Sequence, residues 1–239
     1  MFRLVLELRG LTKHFPVAYG EPVRAVDGVS MTVAGGELVA LYGPSGSGKT
    51  TLLMLIAALL EPDSGEVLLD GRDICRLSPR EAAGYRLRDL GFVRQSLNLI
   101  AGADVIDNAA LKLLGTEMGA RKARKQVGPL IERLGLSERA SHRPEELSMG
   151  ERQRVMIARA LSTDPKLVLA DEPTGSLDSQ RGEEVLGMLS DICRERGVAV
   201  VLVTHDPQAT AYADRVHALR DGRLAEHVAS RALAPADAS

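Results

Sequence analysis

The chain has 239 residues, of which 45 % are hydrophobic and 26 % charged, and its formal net charge is −2. This length suits one large α/β domain or a domain with an inserted lobe. The small net charge gives no general electrostatic reason to bind nucleic acid or anionic lipid, so no nucleic-acid partner is expected. Two isolated cysteines exclude a disulfide framework. The longest apolar run, residues 52–60, is too short to span a bilayer.

The first part of the chain carries short strand-like runs. Residues 1–9 alternate apolar and polar side chains in the manner of an edge strand, and further runs lie at 23–26 and 29–33. Together they predict an antiparallel β flap. Phe15 lies between these runs, where its ring could stack on a purine base, although a lone aromatic residue more often belongs to the packing.

A complete phosphate-binding loop follows an apolar run at residues 37–42. In the pattern G-x-x-x-x-G-K-[ST], a glycine-rich turn aims backbone N–H groups at a polyphosphate, Lys49 reaches the β- and γ-phosphates, and the Thr50 hydroxyl binds Mg²⁺. The apolar run at 50–60 predicts a helix, whose N-terminus favours anions. The residues expected to bind an ATP or GTP phosphate chain are Gly43, Pro44, Ser45, Gly46, Ser47, Gly48, Lys49, Thr50 and Thr51.

The middle of the chain changes from strand to helix patterns. A strand-like run at residues 91–95 ends at Gln95, and residues 98–146 place apolar side chains at helical spacings. This segment is a candidate inserted lobe. Its basic run at 121–125 is explained by a solvated helix face, or alternatively by contact with phospholipid or a partner.

A helix start lies in the run Leu147, Ser148, Met149, Gly150 and Glu151. Ser148 with a glutamate three places later is a capping box, so helix initiation alone accounts for part of this motif. The helix is expected to run to about residue 161.

Two later apolar strands end in residues with acid–base chemistry. Residues 167–170 lead to Asp171 and Glu172, and residues 198–203 lead to His205. In a phosphate-loop NTPase an aspartate at such a strand end binds Mg²⁺. The neighbouring Glu172 is then placed to orient a water molecule and accept its proton.

In this order the motifs resemble the nucleotide-binding subunit of an ABC transporter, from residue 11 to about 224. The resemblance implies an α/β P-loop NTPase fold with a RecA-like core and an antiparallel β subdomain at residues 1–94 and 147–228. It implies a helical subdomain at 95–146, and a tail at 229–239 is expected to be disordered. ATP and Mg²⁺ are the implied cofactors, and ATP hydrolysis is the implied reaction.

The resemblance also assigns a role to each motif. The implied catalytic residues are Glu172, His205 and Lys49. The implied metal-binding residues are Thr50, Gln95 and Asp171. Phe15 matches the aromatic residue that stacks on adenine. Gln95 matches the Q-loop glutamine. Residues 147–151 match the signature motif, which acts in trans, and the D-loop matches Ser176, Leu177 and Asp178.

The implied assembly is a head-to-tail homodimer that holds two nucleotides between the phosphate loop of one copy and Ser148 and Gly150 of the other. A separate integral membrane subunit would insert a coupling helix beside Gln95. The chain is therefore expected at the cytoplasmic face of the inner or cell membrane, as a peripheral subunit.

Two residues depart from the family pattern. Met149 stands where the signature motif usually has glycine, so its side chain must point away from the nucleotide. Because Ser148 and Gly150 are intact, an active enzyme is expected. Arg94 stands where an aromatic residue commonly precedes the Q-loop glutamine.

Within the family, the residues around the motifs are most similar to the lipoprotein-releasing and macrolide-exporter type of ATPase. These proteins work with membrane subunits that have few spans and a large extracytoplasmic domain. Amino-acid importers have a similar core and stay an alternative. An ATPase acting on ribosomes or DNA is a more distant one, because the chain lacks a long coiled-coil insertion and a second cassette.

Overall fold

A computed structural model describes residues 3–228, which contain ten strands and six α-helices. The strands are β1 Leu4–Phe15, β2 Val23–Ala34, β3 Leu38–Tyr42, β4 Ser64–Leu69, β5 Arg72–Asp73, β6 Leu90–Val93, β7 Leu167–Asp171, β8 Ala199–Thr204, β9 Arg215–Arg220 and β10 Arg223–Val228. The helices are α1 Lys49–Ile56, α2 Pro79–Arg88, α3 Val105–Leu114, α4 Ala120–Arg133, α5 Met149–Leu161 and α6 Ser179–Arg196. The tail predicted at 229–239 lies outside the described residues.

The strands form two sheets. An antiparallel sheet has the order β2-β1-β4-β5, and a six-stranded sheet has the order β10-β9-β3-β8-β7-β6. In the larger sheet all neighbouring pairs are parallel except β9 and β10. Because β3, β7 and β8 run in the same direction, their carboxyl ends meet at one edge, which is where open α/β sheets bind ligands.

The core lies on both faces of the larger sheet, because alternate residues of a strand point to opposite sides. Leu41 and Leu169 pack in the cluster that contains the apolar side of α1. Their neighbours Ala40 and Ala170 pack in a second cluster with side chains of α3, α4, α5 and α6. Strands that are buried on both faces read as continuous apolar runs, which explains the pattern of β3, β7 and β8.

Several predicted elements change in extent. β1 pairs with both β2 and β4, so it is an interior strand and the prediction of an edge strand was wrong. The predicted runs at 23–26 and 29–33 form one strand. β6 ends at Val93, so Gln95 follows the strand rather than ending it. The helices predicted at 147–161 and 179–196 are confirmed within a residue or two.

The helix predicted at 50–60 is shorter than expected. α1 ends at Ile56, and the carbonyls of Ile56 and Ala58 accept hydrogen bonds from Tyr85 and Arg86 of α2. These side chains satisfy the carbonyls at the end of α1, so the helix needs no further turn.

The sequence pattern did not indicate α2. This helix begins with a capping box at Ser78 and was missed because it buries only two side chains.

Both cysteines are free, and burial raises the pKa of the Cys193 thiol to about 12. Among the residues that the structure describes, no helix has the length and apolar character that a bilayer crossing requires.

Candidate functional site

A cavity of about 390 Å³ opens where the carboxyl ends of β3, β7 and β8 meet. The phosphate loop follows β3, Asp171 is the last residue of β7, and His205 follows β8. The cavity is lined by Phe15, Val23, Ala25, Ser45, Gly46, Gly48, Lys49, Thr50, Thr51, Gln95, Asp171 and Glu172. The fold therefore gathers distant parts of the chain around the phosphate loop.

Glycines in the phosphate loop are required by geometry. Gly48 has φ +102°, and a Cβ atom there would lie 1.9 Å from the carbonyl oxygen of Ala25. At Gly43 a Cβ would lie 2.2 Å from the carbonyl oxygen of Leu219. Because both neighbours are backbone atoms that cannot rotate away, only glycine lets the loop lie against β2 and β9.

The loop leads into a helix N-terminus that no side chain caps. Gly48 precedes α1, which has no acidic residue in its first turn. The first amides of any α-helix lack intrahelical acceptors and carry partial positive charge. The Ser47 hydroxyl nearby is buried and has no hydrogen-bond partner among the described residues. Unpaired donors around a cavity fit an anionic polyphosphate.

Lys49 supplies the main positive charge of the loop. Its side chain is 8 % exposed, and Nζ donates hydrogen bonds to the carbonyl oxygens of Gly43 at 2.7 Å and Pro44 at 2.8 Å. These two acceptors hold the ammonium group at the cavity wall. Within residues 3–228 no carboxylate forms an ion pair with Lys49, and a buried cation of this kind fits a site for a phosphate group.

The residues expected at Mg²⁺ also line this cavity, where Thr50 and Gln95 face the same space as Asp171. Burial, and then the charge of Glu172, raise the pKa of Asp171, while Arg94 and Lys49 act in the opposite direction. In the described part of the chain, no group of three His, Cys, Asp or Glu side chains could hold a metal alone. One carboxylate with hydroxyl and amide oxygens fits the sparse protein ligand set of Mg²⁺ bound beside phosphates.

Glu172 and His205 form a hydrogen-bonded pair. The Nδ1 atom of His205 lies 2.7 Å from Oε1 of Glu172, and the His205 amide donates to Oε2 at 3.4 Å. The backbone of Glu172 has φ +47°, an unusual value for a residue other than glycine, and its amide donates to the Val203 carbonyl at 2.9 Å. This conformation turns the carboxylate back to the end of β8. His205 itself does not line the cavity, so its contact with a γ-phosphate stays a prediction.

The five signature residues lie away from the cavity, at the start of α5. The Ser148 hydroxyl accepts a hydrogen bond from the Glu151 amide at 3.3 Å, and the Ser148 amide donates to Glu151 Oε2 at 2.8 Å. Leu147 and Gly150 are buried, whereas Met149 is 41 % exposed. The Met149 side chain is thus open to solvent within one chain. That it points away from the nucleotide of a second copy stays a prediction.

The D-loop residues also lie outside the cavity lining. Asp178 accepts a hydrogen bond from the Arg181 amide at 2.9 Å and so caps α6. Ser176 is exposed and Leu177 is half-buried, with its amide bonded to the Thr174 carbonyl at 2.9 Å. The observed role of this segment within one chain is to begin a helix.

Two cavity residues, Val23 and Ala25, were not predicted. They lie on β2, and Val23 pairs with Phe15 of β1. The Phe15 ring is 38 % exposed, and the Lys13 ammonium lies 5.9 Å from its centroid. Only the register of β1 against β2 could have identified Val23 and Ala25, and the apolar runs alone do not specify that register.

Known proteins match this chain over most of its length. The family model described as "ABC transporter" matches residues 26–175. The chain is 44 % identical over 228 residues to the lipoprotein-releasing system ATP-binding protein LolD of Hyphomonas neptunium, a match that covers 95 % of this chain and all of the relative. It is 41 % identical to the macrolide export ATP-binding/permease protein MacB of Rhodopirellula baltica, across 95 % of this chain and 34 % of that longer protein.

A solved structure agrees with the fold. The ATP-binding cassette MJ0796, in a dimeric post-hydrolysis state bound to ADP and Pi, superposes with a TM-score of 0.84. Its sequence is 35 % identical, and the superposition covers 95 % of this chain and 99 % of the other.

Proposed function

The chain belongs to the ABC transporter family and is an ATPase with the fold of that family, and on this premise we propose how it works. It binds two MgATP at the interface of a head-to-tail homodimer and drives a separate integral membrane subunit from the cytoplasmic face of the membrane. The process served is lipoprotein release, export or transmission of force across the membrane. The names of the LolD and MacB relatives support this choice over an importer.

The proposed division of the chain separates a core from a helical subdomain. Residues 1–94 and 147–228 form the RecA-like core with its β subdomain, and residues 95–146 form the helical subdomain. The apolar sides of α3 and α4 lie in the cluster on the face of the sheet opposite α1. The proposed helical subdomain therefore packs on the face of the sheet opposite α1.

The cavity residues divide the work of binding. Lys49 and the free amides of α1 hold the phosphates, Phe15 stacks on adenine, and Thr50, Asp171 and Gln95 hold Mg²⁺. When bound, Mg²⁺ neutralises phosphate charge that develops as the γ-phosphate is transferred. Lys49 already lies at the cavity wall, so it contributes charge without rearrangement.

Glu172 is the proposed general base. Its carboxylate lines the cavity next to Asp171, where it can orient a water molecule and accept a proton. His205 holds the same carboxylate through Nδ1 and its amide, so His205 sets the direction of the base. This hydrogen-bonded pair, of which Glu172 lines the phosphate cavity, is the observation that carries the proposal.

The dimer is proposed because the cavity of one chain contains none of that chain's signature residues. Ser148 and Gly150 do not line it, and the start of α5 is stable by itself through the Ser148–Glu151 capping box. We therefore assign Ser148 and Gly150 to the nucleotide of a second copy. The dimeric state of the MJ0796 cassette supports this arrangement.

ATPase assays on purified variants test the chemistry. Glu172→Gln removes the base but keeps the size of the side chain, so turnover is expected to fall at least about 100-fold while MgATP binding is kept. Glu184→Gln, which alters an exposed carboxylate of α6, is the matched control and leaves turnover unchanged. Wild-type turnover in Glu172→Gln would contradict the assignment of the base.

A second experiment tests the membrane partner. Tagged Glu172→Gln is isolated with Mg-ATP from detergent-extracted membranes, and the proteins that come with it are identified. A companion with few spans and a large extracytoplasmic domain is the expected result. A many-span permease would indicate an importer, and ribosomes or nucleic acid without a membrane protein would overturn the transporter assignment.

A further inference from the structure

A buried asparagine of α3 organises the loop that follows Gln95. Asn108 is 1 % exposed, and its Nδ2 donates to the carbonyls of Ile100 at 3.1 Å, Ala103 at 3.0 Å and Asp104 at 3.1 Å. Its Oδ1 accepts the Ile100 amide at 2.7 Å. One side chain thus satisfies both backbone groups of Ile100 and closes residues 98–104 into a fixed loop.

Arg159 of α5 joins the same network from the opposite side. Its Nη2 donates to Asn108 Oδ1 at 2.6 Å, its Nε donates to the Asn108 carbonyl at 2.8 Å, and its Nη1 donates to the Asn98 carbonyl at 2.6 Å. We call Asn108 and Arg159 together the Asn108–Arg159 hub. The hub joins the loop, α3 and α5 through the three guanidinium nitrogens of one arginine.

The hydrogen bonds of the hub are better suited to fixing the relative positions of the loop, α3 and α5 than to merely holding them together. All three acceptors of Arg159 are neutral oxygens, so the half-buried cation has no carboxylate to compensate its desolvation through these bonds. A pair of apolar side chains would pack these helices without that cost. A rigid, planar donor fork with three separate acceptors instead fixes distance and angle between the elements.

The rigidity of the Asn108–Arg159 hub matters because the hub connects the loop that follows Gln95 with the helix that follows Ser148. The loop displays Ile100, which is 46 % exposed, and begins three residues after Gln95, which lines the cavity. α5, which carries Arg159 in its last turn, begins directly after its N-cap residue Ser148. We infer that Asn108 and Arg159 are positioning residues that make loop 98–104 and α5 move as one body, so that a displacement of the loop changes the position of Ser148. This inference rests on the proposed function, in which Ser148 contacts the nucleotide of a second copy.

Hydrogen–deuterium exchange on the Glu172→Gln protein tests the connection. If the hub joins loop and helix, Mg-ATP slows exchange at the start of α5 and also in residues 98–104, of which none lines the cavity. When Arg159→Met is added, Mg-ATP is expected to slow hydrogen–deuterium exchange in the phosphate loop as before, but no longer in residues 98–104. Arg133→Met removes a surface arginine paired with Glu195 and serves as the matched control.

Enzyme kinetics separate positioning from general damage. In an otherwise wild-type chain, Arg159→Met is expected to lower turnover about tenfold while changing the affinity for MgADP less than about twofold. Asn108→Ala should give the same loss, and the double variant should lose no more than either single variant, because both act through one network.

Three results would overturn the inference. One is protection of residues 98–104 that persists with Arg159→Met, another is additive losses in the double variant, and the third is MgADP affinity that falls in step with turnover. If Glu172→Gln forms no dimer with Mg-ATP, the proposed function fails and the inference fails with it. If the dimer forms and residues 98–104 show no change in exchange, the inference alone fails.

Discussion

The helices α1 and α5 both begin at functional motifs, and their first turns are satisfied in opposite ways. α1 begins after Gly48, with no side-chain cap and no acidic residue in its first turn. α5 begins after Ser148 with a complete capping box, and Arg139 further holds Glu151 at 3.0 Å. The start of α1 leaves its amides without a side-chain cap, whereas the start of α5 satisfies two amides, those of Ser148 and Glu151, from its own sequence.

This difference fits the proposed composite site, in which one chain carries two halves that act in different copies. The open amides of α1 and the cation of Lys49 need an anion to complete them, so this start is a binding site by itself. The start of α5 is folded without any ligand, and Ser148 and Gly150 can be presented unchanged to another copy. The two motifs should therefore respond differently to substitution.

Gly48→Ala should have the largest effect, because it breaks the start of α1. The new Cβ would lie 1.9 Å from the Ala25 carbonyl oxygen at a left-handed backbone position. We expect a loss of about 3 kcal/mol or more in the free energy of unfolding, measured by chemical denaturation, and no detectable MgADP binding. Gly46→Ala is the matched control, since φ is +81° there but no atom lies within 4 Å, and it should cost only about 1–2 kcal/mol. Equal losses would contradict the steric account.

Ser148→Ala tests the start of α5 against an identical cap elsewhere. Ser78 caps α2 through the same reciprocal box with Glu81. Either serine to alanine change should cost about 1 kcal/mol in the free energy of unfolding. Only Ser148→Ala should also lower ATP turnover, by at least about tenfold. Equal turnover in the two variants would show that Ser148 has no role besides capping.

Met149→Gly should change little, because the native side chain is 41 % exposed at the first helical position. We expect ATP turnover to stay within about threefold of wild type, with a loss of up to about 1 kcal/mol in stability from glycine in the first turn. A rise in turnover by orders of magnitude over a nearly inactive wild type would show that Met149 blocks closure of the dimer.

Glu151→Gln should give the smallest effect, and one that depends on pH. The Ser148 amide is the main cause that lowers the pKa of Glu151 below its ordinary value of 4.5. A lowered folded pKa contributes stability above the unfolded pKa, and this contribution is lost as the pH falls through the folded value. The advantage of wild type over Glu151→Gln, measured by thermal denaturation, should therefore be constant near neutral pH and shrink below about pH 4.5. A difference that does not change with pH would contradict the ionised cap.

Much of the fold could be predicted because β3, β7 and β8 are buried on both faces and so read as plain apolar runs. The site residues at their ends could be predicted because parallel strands bring their carboxyl ends together. α2 was missed although S-P-R-E at residues 78–81 carries a capping box, because the helix shows almost no apolar face. Local signals of helix initiation were present there and were outweighed by the polar composition.

Other features depend on contacts that no local pattern encodes. Alternation of apolar and polar residues in β1 is the same for an interior and an edge strand, so its position in the sheet followed only from pairing with β4. The left-handed backbone at Glu172 depends on the Val203 carbonyl that its amide meets. Asn108 and Arg159 are 51 residues apart, and neither forms part of a motif.

A mixing experiment with two variants of low activity tests the central claim most directly. Lys49→Ala disables the phosphate loop, and Ser148→Ala disables the signature residue that we assign to the other copy. In a mixed dimer, the loop of the Ser148→Ala chain meets Ser148 of the Lys49→Ala chain, so one of the two sites is complete. An equal mixture should recover about a quarter of wild-type ATP turnover, since half of the dimers are mixed and each has one complete site. If the mixture is no more active than the two variants measured separately, each nucleotide is held and hydrolysed within a single chain, and the composite site is wrong.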